Sequence, residues 1–202
     1  MAKSTKRRSK PLNQRISFWI MITLVMGVAF FGALALIATP FRNFQTPVDH
    51  TKEEFIERLA PYAQTIQQRE GVLPSIILGQ AILESDWGQS GLSQSYNNLF
   101  GVKAGPGEPS VDLATKEFVD GKWFDINAPF KVYQDWEASM DDHAKLFKNG
   151  VTWNTEIYKG VLAAKNYKEA AQQLQLAGYA TDPDYQNKII NVIEVYELYQ
   201  YD

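Results

Sequence analysis

The chain has 202 residues, 45% of them hydrophobic, which is enough for about one globular domain with a real core plus a short appendage. It has no cysteine, which excludes a disulfide framework and thiolate chemistry, and its two histidines, His50 and His143, lie too far apart in sequence to suggest a multi-histidine metal site. The net charge of −3 hides a segregation: residues 1–38 carry six basic side chains and no acidic one, leaving 14 basic against 23 acidic, and an acidic domain without a basic stripe argues against nucleic acid as partner.

Residues 16–41 carry no charge, and the apolar run inside them is long enough to cross a bilayer at roughly 1.5 Å per residue. The basic flank comes first, so the positive-inside rule predicts a cytoplasmic tail over 1–16, a transmembrane anchor over 17–39, and everything later on the outer side. A cleaved signal peptide is the competing reading, with Ala33-Leu34-Ala35 as its processing site; its apolar region should run only about 7 to 15 residues, and this one is longer. Both readings place the domain outside the cytoplasmic membrane. Gly27 and Gly32 offer small surfaces on which a membrane-protein partner could pack. Residues 40–50, with two prolines and no periodicity, read as a linker whose reach of at most about 35 to 40 Å keeps the domain close to the membrane.

The folded domain is expected over 51–202. Thr51-Lys52-Glu53-Glu54 fits a capping box, Phe55, Ile56, Leu59 and Tyr62 follow at helical spacing, and Pro61 is expected to kink or split this helix. A second helix starts near Pro74, the favoured first position for proline. Between Ile76 and Leu83 only Gln80 is polar, so this helix is buried all round, and Gly79 would let another backbone come close. Asp120-Gly121 predicts a tight hairpin between strands at 114–119 and 122–126, pairing Phe118 with Trp123, Glu117 with Phe124 and Lys116 with Asp125. Helices resume at Asp135, with Trp136, Met140, His143 and Phe147 on one stripe and Gly150 as the stop, then at Asn166 up to Gly178, and at Asp182-Pro183. The sum is an α+β fold, mostly helical with one β-hairpin lobe.

Glu84 is the anomaly, a carboxylate closing an apolar helix on the face of Ile77, Gln80 and Ala81. A glycosidase needs a carboxylic acid still protonated near neutral pH, and both partial burial and the negative end of a helix dipole favour that form. The other reading is a side chain that turns to solvent as the helix ends. Spacing alone leaves both open.

The blocks around it are more specific. Ala81-Ile82-Leu83-Glu84-Ser85-Asp86-Trp87-Gly88 followed by Asn97-Asn98-Leu99-Phe100-Gly101-Val102-Lys103 resembles the motif pair of the bacterial peptidoglycan glucosaminidases, the family-73 glycoside hydrolases, whose domain is also described as mannosyl-glycoprotein endo-β-N-acetylglucosaminidase-like. The likeness continues at Thr115-Lys116-Glu117, Phe130-Lys131-Val132-Tyr133, Asp142-His143-Ala144 and Ala177-Gly178-Tyr179-Ala180-Thr181-Asp182-Pro183, in the family's order.

The resemblance implies a lysozyme-like fold and hydrolysis of the bond on the reducing side of N-acetylglucosamine in wall glycan strands, with no cofactor. It makes Glu84 the general acid. Glu117 matches a hairpin carboxylate proposed to activate water, or is a solvated strand residue. Tyr179 matches a tyrosine lining the site, or packs on Pro183. Trp87, Phe100, Trp123 and Tyr133 are candidates for sugar contact, although aromatics beside a buried helix commonly belong to the core. Asn97 and Asn98 bind acetamido groups or the backbone of their own turn. Asp86 stands where the family often has a small or amide residue, and either raises the Glu84 pKa further or faces away. His143 reads as a structural histidine, and the carboxylate pairs lack calcium-loop spacing, so no metal is expected. With Glu117 as base the reaction inverts; with the substrate acetamido group as nucleophile it retains. A muramidase, a lytic transglycosylase or a non-catalytic wall-binding protein are the alternatives on this fold.

Overall fold

The computed structural model describes residues 50–119 and 122–202, with the side chains at 50 and 116–123 outside the description. The tail and anchor expected over 1–39, nearly all of the linker and the Asp120-Gly121 turn lie outside the described residues. No described helix is long and apolar enough to cross a membrane.

Helix α1 spans His50–Glu70, and Phe55, Ile56, Leu59, Ala63 and Ile66 form its buried stripe. Pro61 neither splits nor ends it. The carbonyl that loses its helical donor is that of Glu57, and both Pro61 and Glu57 lie on the exposed side, within reach of water.

Helix α2, Pro74–Ser85, is the buried axis of the domain, and every residue from Pro74 to Ile82 is buried. Proline sits in its first turn, and its N-cap, Leu73, has no capping side chain. Asp202 supplies that cap from the far end of the sequence: its carboxylate accepts from the Ser75 backbone N–H and from Ser75 Oγ, both at 2.8 Å. Gly79 meets a side chain rather than the expected backbone, because a Cβ there would lie 3.3 Å from Cγ1 of Ile193.

The short helix α3, Gly91–Tyr96, is capped by Ser90, whose Oγ accepts from the Ser93 N–H at 3.2 Å. Strands β1, Ser110–Val119, and β2, Lys122–Lys131, pair antiparallel in the expected register: Phe118 opposite Trp123, Glu117 opposite Phe124, Lys116 opposite Asp125. Both strands run further from the turn than alternation predicted. Ala128 and Phe130 are buried two residues apart, as a half-buried strand requires. Backbone bonds from Lys131 N–H to the Val102 carbonyl and from Ala104 N–H to the Pro129 carbonyl, both 2.9 Å, tie the base of the hairpin to the body.

Helix α4, Trp136–Asn149, starts at Asp135, which accepts from the Ala138 N–H at 2.7 Å, and stops at Gly150. Helix α5, Lys159–Ala163, is too short to leave a periodic signal. Helix α6, Tyr167–Leu176, has a reciprocal cap: Asn166 accepts from the Glu169 N–H, and Glu169 accepts from the Lys165 N–H. Helix α7, Tyr185–Val195, and a 3-10 turn, Leu198–Tyr201, pack against α2 and complete an α+β domain that is mostly helical with a two-stranded lobe.

Candidate active site

Glu84 stands one residue from the end of α2, half-buried like Leu83 before it, where the helix leaves the core. The chain then turns sharply through three consecutive left-handed residues, Asp86 (φ 51°), Trp87 (φ 60°) and Gly88 (φ 73°). Two of these are not glycine, so backbone strain is concentrated next to the carboxylate. Ser85 secures the turn: its Oγ donates to the Ala81 carbonyl at 2.6 Å and accepts from the Gly88 N–H at 2.7 Å.

The protein crowding Glu84 opposes its ionisation. Burial pushes its carboxyl up to about 7, against a smaller downward pull from Tyr185, whose hydroxyl donates to Oε1 at 2.7 Å. Behind Tyr185, Gln80 Nε2 donates to the same hydroxyl at 3.2 Å, and Gln80 Oε1 meets His143 Nε2 at 3.0 Å. His143 is buried with its ring stacked 3.9 Å from that of Phe100, and burial lowers its pKa to about 3, so it is neutral. A carboxyl with one oxygen held by a hydroxyl and the other free to carry a proton can act as a general acid near neutral pH.

Tyr179 comes to the same place from the turn after α6. Its ring stacks on Tyr185 (5.5 Å between centroids) and on Phe147 (6.2 Å), and Glu84 is near enough that its charge adds to burial in raising the phenol pKa well above the usual range. Its hydroxyl is the buried side-chain polar atom without a hydrogen-bond partner among the described residues. An unspent donor beside the acid fits a substrate oxygen.

Other sequence-level candidates fall elsewhere. Phe100 is 1% exposed and stacked on His143, so it offers no face to a sugar and is part of the core. Asn98 is 1% exposed and spends its amide on its own neighbourhood: Nδ2 donates to the Val102 and Lys131 carbonyls and Oδ1 accepts from the Val102 N–H. It locks the loop to the hairpin base, the backbone reading of the two. Asn97 likewise donates to the Tyr133 and Gln134 carbonyls. The Trp87 ring packs edge-on against Phe55 and Tyr196, with Lys52 Nζ 5.2 Å from its centre, so it braces α1 against the end of α7. Tyr133 is half-buried and donates to Asp142 Oδ2 at 2.7 Å, in a cluster where Lys131 bridges Asp142 and Glu108. Glu117 and Trp123 keep their predicted register positions, and their side chains lie outside the described residues.

Sequence reasoning missed the part played by Gln80 and Tyr185. Gln80 had a visible signal as the lone polar residue between Ile76 and Leu83, one helical turn before Glu84. Tyr185 had none, because nothing in its spacing links it to a residue 101 positions earlier.

A helical body with a hairpin lobe, built around one carboxyl that titrates near neutrality, is the architecture of a lysozyme-like glycoside hydrolase. Residues 60–198 match the family described as Mannosyl-glycoprotein endo-beta-N-acetylglucosaminidase, and the chain belongs to that glucosaminidase family. It is 45% identical over 191 residues to the exo-glucosaminidase LytG of Bacillus subtilis, covering 91% of this chain and 67% of that protein. It is 36% identical over 155 residues to a probable N-acetylmuramidase of Lactococcus lactis, covering 76% of this chain and 35% of that one. Among solved structures, the catalytic domain of the autolysin Auto from Listeria monocytogenes superimposes with a TM-score of 0.71 at 33% identity, covering 97% of this chain and 100% of that domain.

Proposed function

We propose that this chain is a membrane-anchored peptidoglycan glucosaminidase that hydrolyses the β-1,4 bond on the reducing side of N-acetylglucosamine, with Glu84 as general acid. The observation that carries the reading is the raised carboxyl of Glu84, held through Oε1 by Tyr185. Protonated Glu84 donates to the glycosidic oxygen as the bond breaks, and the resulting carboxylate keeps the Tyr185 hydrogen bond. The Tyr179 hydroxyl meets an oxygen of the sugar whose charge changes in the oxocarbenium-like transition state, or that of its acetamido group. Glu117 activates water if the product anomer is inverted; the substrate acetamido group attacks if it is retained. Digestion of purified wall glycan followed by mass spectrometry of the new reducing ends tests the bond cut. N-acetylglucosamine ends support the reading, whereas muramic acid ends mean a muramidase and anhydro ends a lytic transglycosylase.

The 45% identity to an exo-glucosaminidase favours a second mode, in which units are removed from strand ends rather than cut internally. Internal cutting shortens strands quickly to mixed oligomers. Terminal cutting releases only the smallest unit while long strands persist, so a size-resolved time course separates the two.

The anchor at 17–39 and the short linker at 40–50 put the domain on the outer face of the membrane, where newly made strands emerge. Lengthening the linker should move cutting toward older wall; an unchanged strand preference contradicts the tether.

A further inference from the structure

The buried polar residues behind Glu84 form one chain with a single direction. An ionised carboxylate only accepts, so Tyr185 must donate its proton to Oε1 across 2.7 Å. The Tyr185 oxygen is then left to accept, and Gln80 offers it the Nε2 amide at 3.2 Å. That fixes the Gln80 carbonyl toward His143, 3.0 Å from Nε2, which must therefore carry the ring proton. Gln80 is fully buried and His143 2% exposed, clamped by stacking on Phe100 and by the edge of Phe147 at 5.0 Å. With the proton on Nε2 of His143, a turned Gln80 amide would set donor against donor at His143.

We propose that Gln80 and His143 are positioning residues that select which oxygen of Glu84 carries the catalytic proton. While Gln80 donates its Nε2 amide to the Tyr185 oxygen and the Tyr185 hydrogen therefore points at Oε1, a Glu84 proton on Oε1 aimed at Tyr185 would meet that hydrogen head-on. The proton resides on Oε2, the oxygen left for the substrate. This inference rests on Glu84 as the general acid. Without Gln80, the Tyr185 oxygen becomes free to accept from the acid, and the proton is drawn into the protein. That costs turnover rather than binding. It also stabilises the protonated form, so the loss of activity at alkaline pH moves to higher pH. The groups that face this chain are Tyr179, from the turn before α7, toward Glu84, and Asp142, on α4, toward His143. Asp86, exposed two residues further on, is the nearest other acidic residue on the segment of Glu84.

The test uses full-length Gln80→Met, His143→Leu and His143→Gln, with kcat and KM on wall glycan followed against pH. Gln80→Met and His143→Leu should lower kcat about tenfold with KM nearly unchanged, a fraction of what a general acid supplies, and shift the alkaline limb upward. His143→Gln, whose amide can replace the Nε2 donor, should restore the parent limb. An unmoved limb with unchanged kcat in the first two, or no restoration by His143→Gln, overturns the proposal. Should a variant fail to fold, nitrogen-15 histidine spectra of the parent still decide. His143 must stay neutral with its proton on Nε2 from about pH 5 to 8; a proton on Nδ1, or titration near the usual histidine range, overturns it. An inactive Glu84→Gln alongside unaltered Gln80→Met removes only this inference, while an active Glu84→Gln removes the acid assignment beneath it.

Discussion

The Tyr185 hydroxyl lies 2.7 Å from Glu84 Oε1 and lowers a carboxyl pKa that burial alone would place higher still. The two effects leave it at about 7, where the acid is about half protonated at neutral pH.

The same shift is a stability statement. Glu84 rises in the folded state from 4.5 to about 7, so the folded protein holds a proton that the unfolded chain has released. Its contribution is complete below pH 4.5 and is lost as pH rises through about 7. Glu84→Gln, which never ionises, should therefore be more stable than the parent at pH 8, by about 2 to 3 kcal/mol, and close to it at pH 4.5. Denaturant unfolding at both pH values checks this. His143 acts in the opposite sense. Its pKa falls from 6.5 to about 3, so its contribution is present above 6.5 and is lost as pH falls toward 3.

Phe100 distinguishes a packing role from a sugar contact. Phe100→Leu should cost about 1 to 2 kcal/mol through the lost stacking on His143 and imperfect filling, with KM for glycan unchanged. A raised KM at unchanged stability would return Phe100 to the substrate site.

Gly88 is required by both its backbone and its surroundings. Its φ is 73°, and a Cβ would lie 2.6 Å from Cη2 of the Trp136 indole and 2.9 Å from both its Cζ2 and the Phe55 ring. Gly88→Ala should cost at least about 2 kcal/mol and lower activity, since the turn it closes carries Glu84. Thermal unfolding measured beside activity reads both effects.

Asp202 holds the opposite end of the helix that bears Glu84. Asp202→Ala removes the two hydrogen bonds to Ser75 and should destabilise by about 1 to 2 kcal/mol, with little change in kcat once folded. Equilibrium unfolding checks the first part and steady-state kinetics the second.

What the sequence revealed follows from how local each signal is. The cap at Asp135, the stop at Gly150 and the cap at Asn166 lie within a turn of the helices they bound, and the hairpin register follows from one dipeptide, so all were readable. Pro61 misled because the rule assumes a buried helix interior, while here the freed carbonyl faces solvent. The two short helices α3 and α5 span too few residues for a period. Glu84 was visible as a charge in an apolar run. Its support was not, because Tyr185, His143 and Tyr179 are joined to it only by the folded chain across separations that no periodicity records. Phe100 and Asn98 were placed at the site because they lie in the motif next to it, and proximity along a motif does not say which way a side chain points.

The central claim is that Glu84 donates the proton that breaks the glycan, and it is tested most directly by Glu84→Gln. The variant keeps the size of the side chain and an oxygen for Tyr185 but has no acid proton. Release of reducing ends from purified wall glycan at pH 6 should fall by at least about a hundredfold, with folding and glycan binding retained. Hydrolysis at the parent rate would contradict the account.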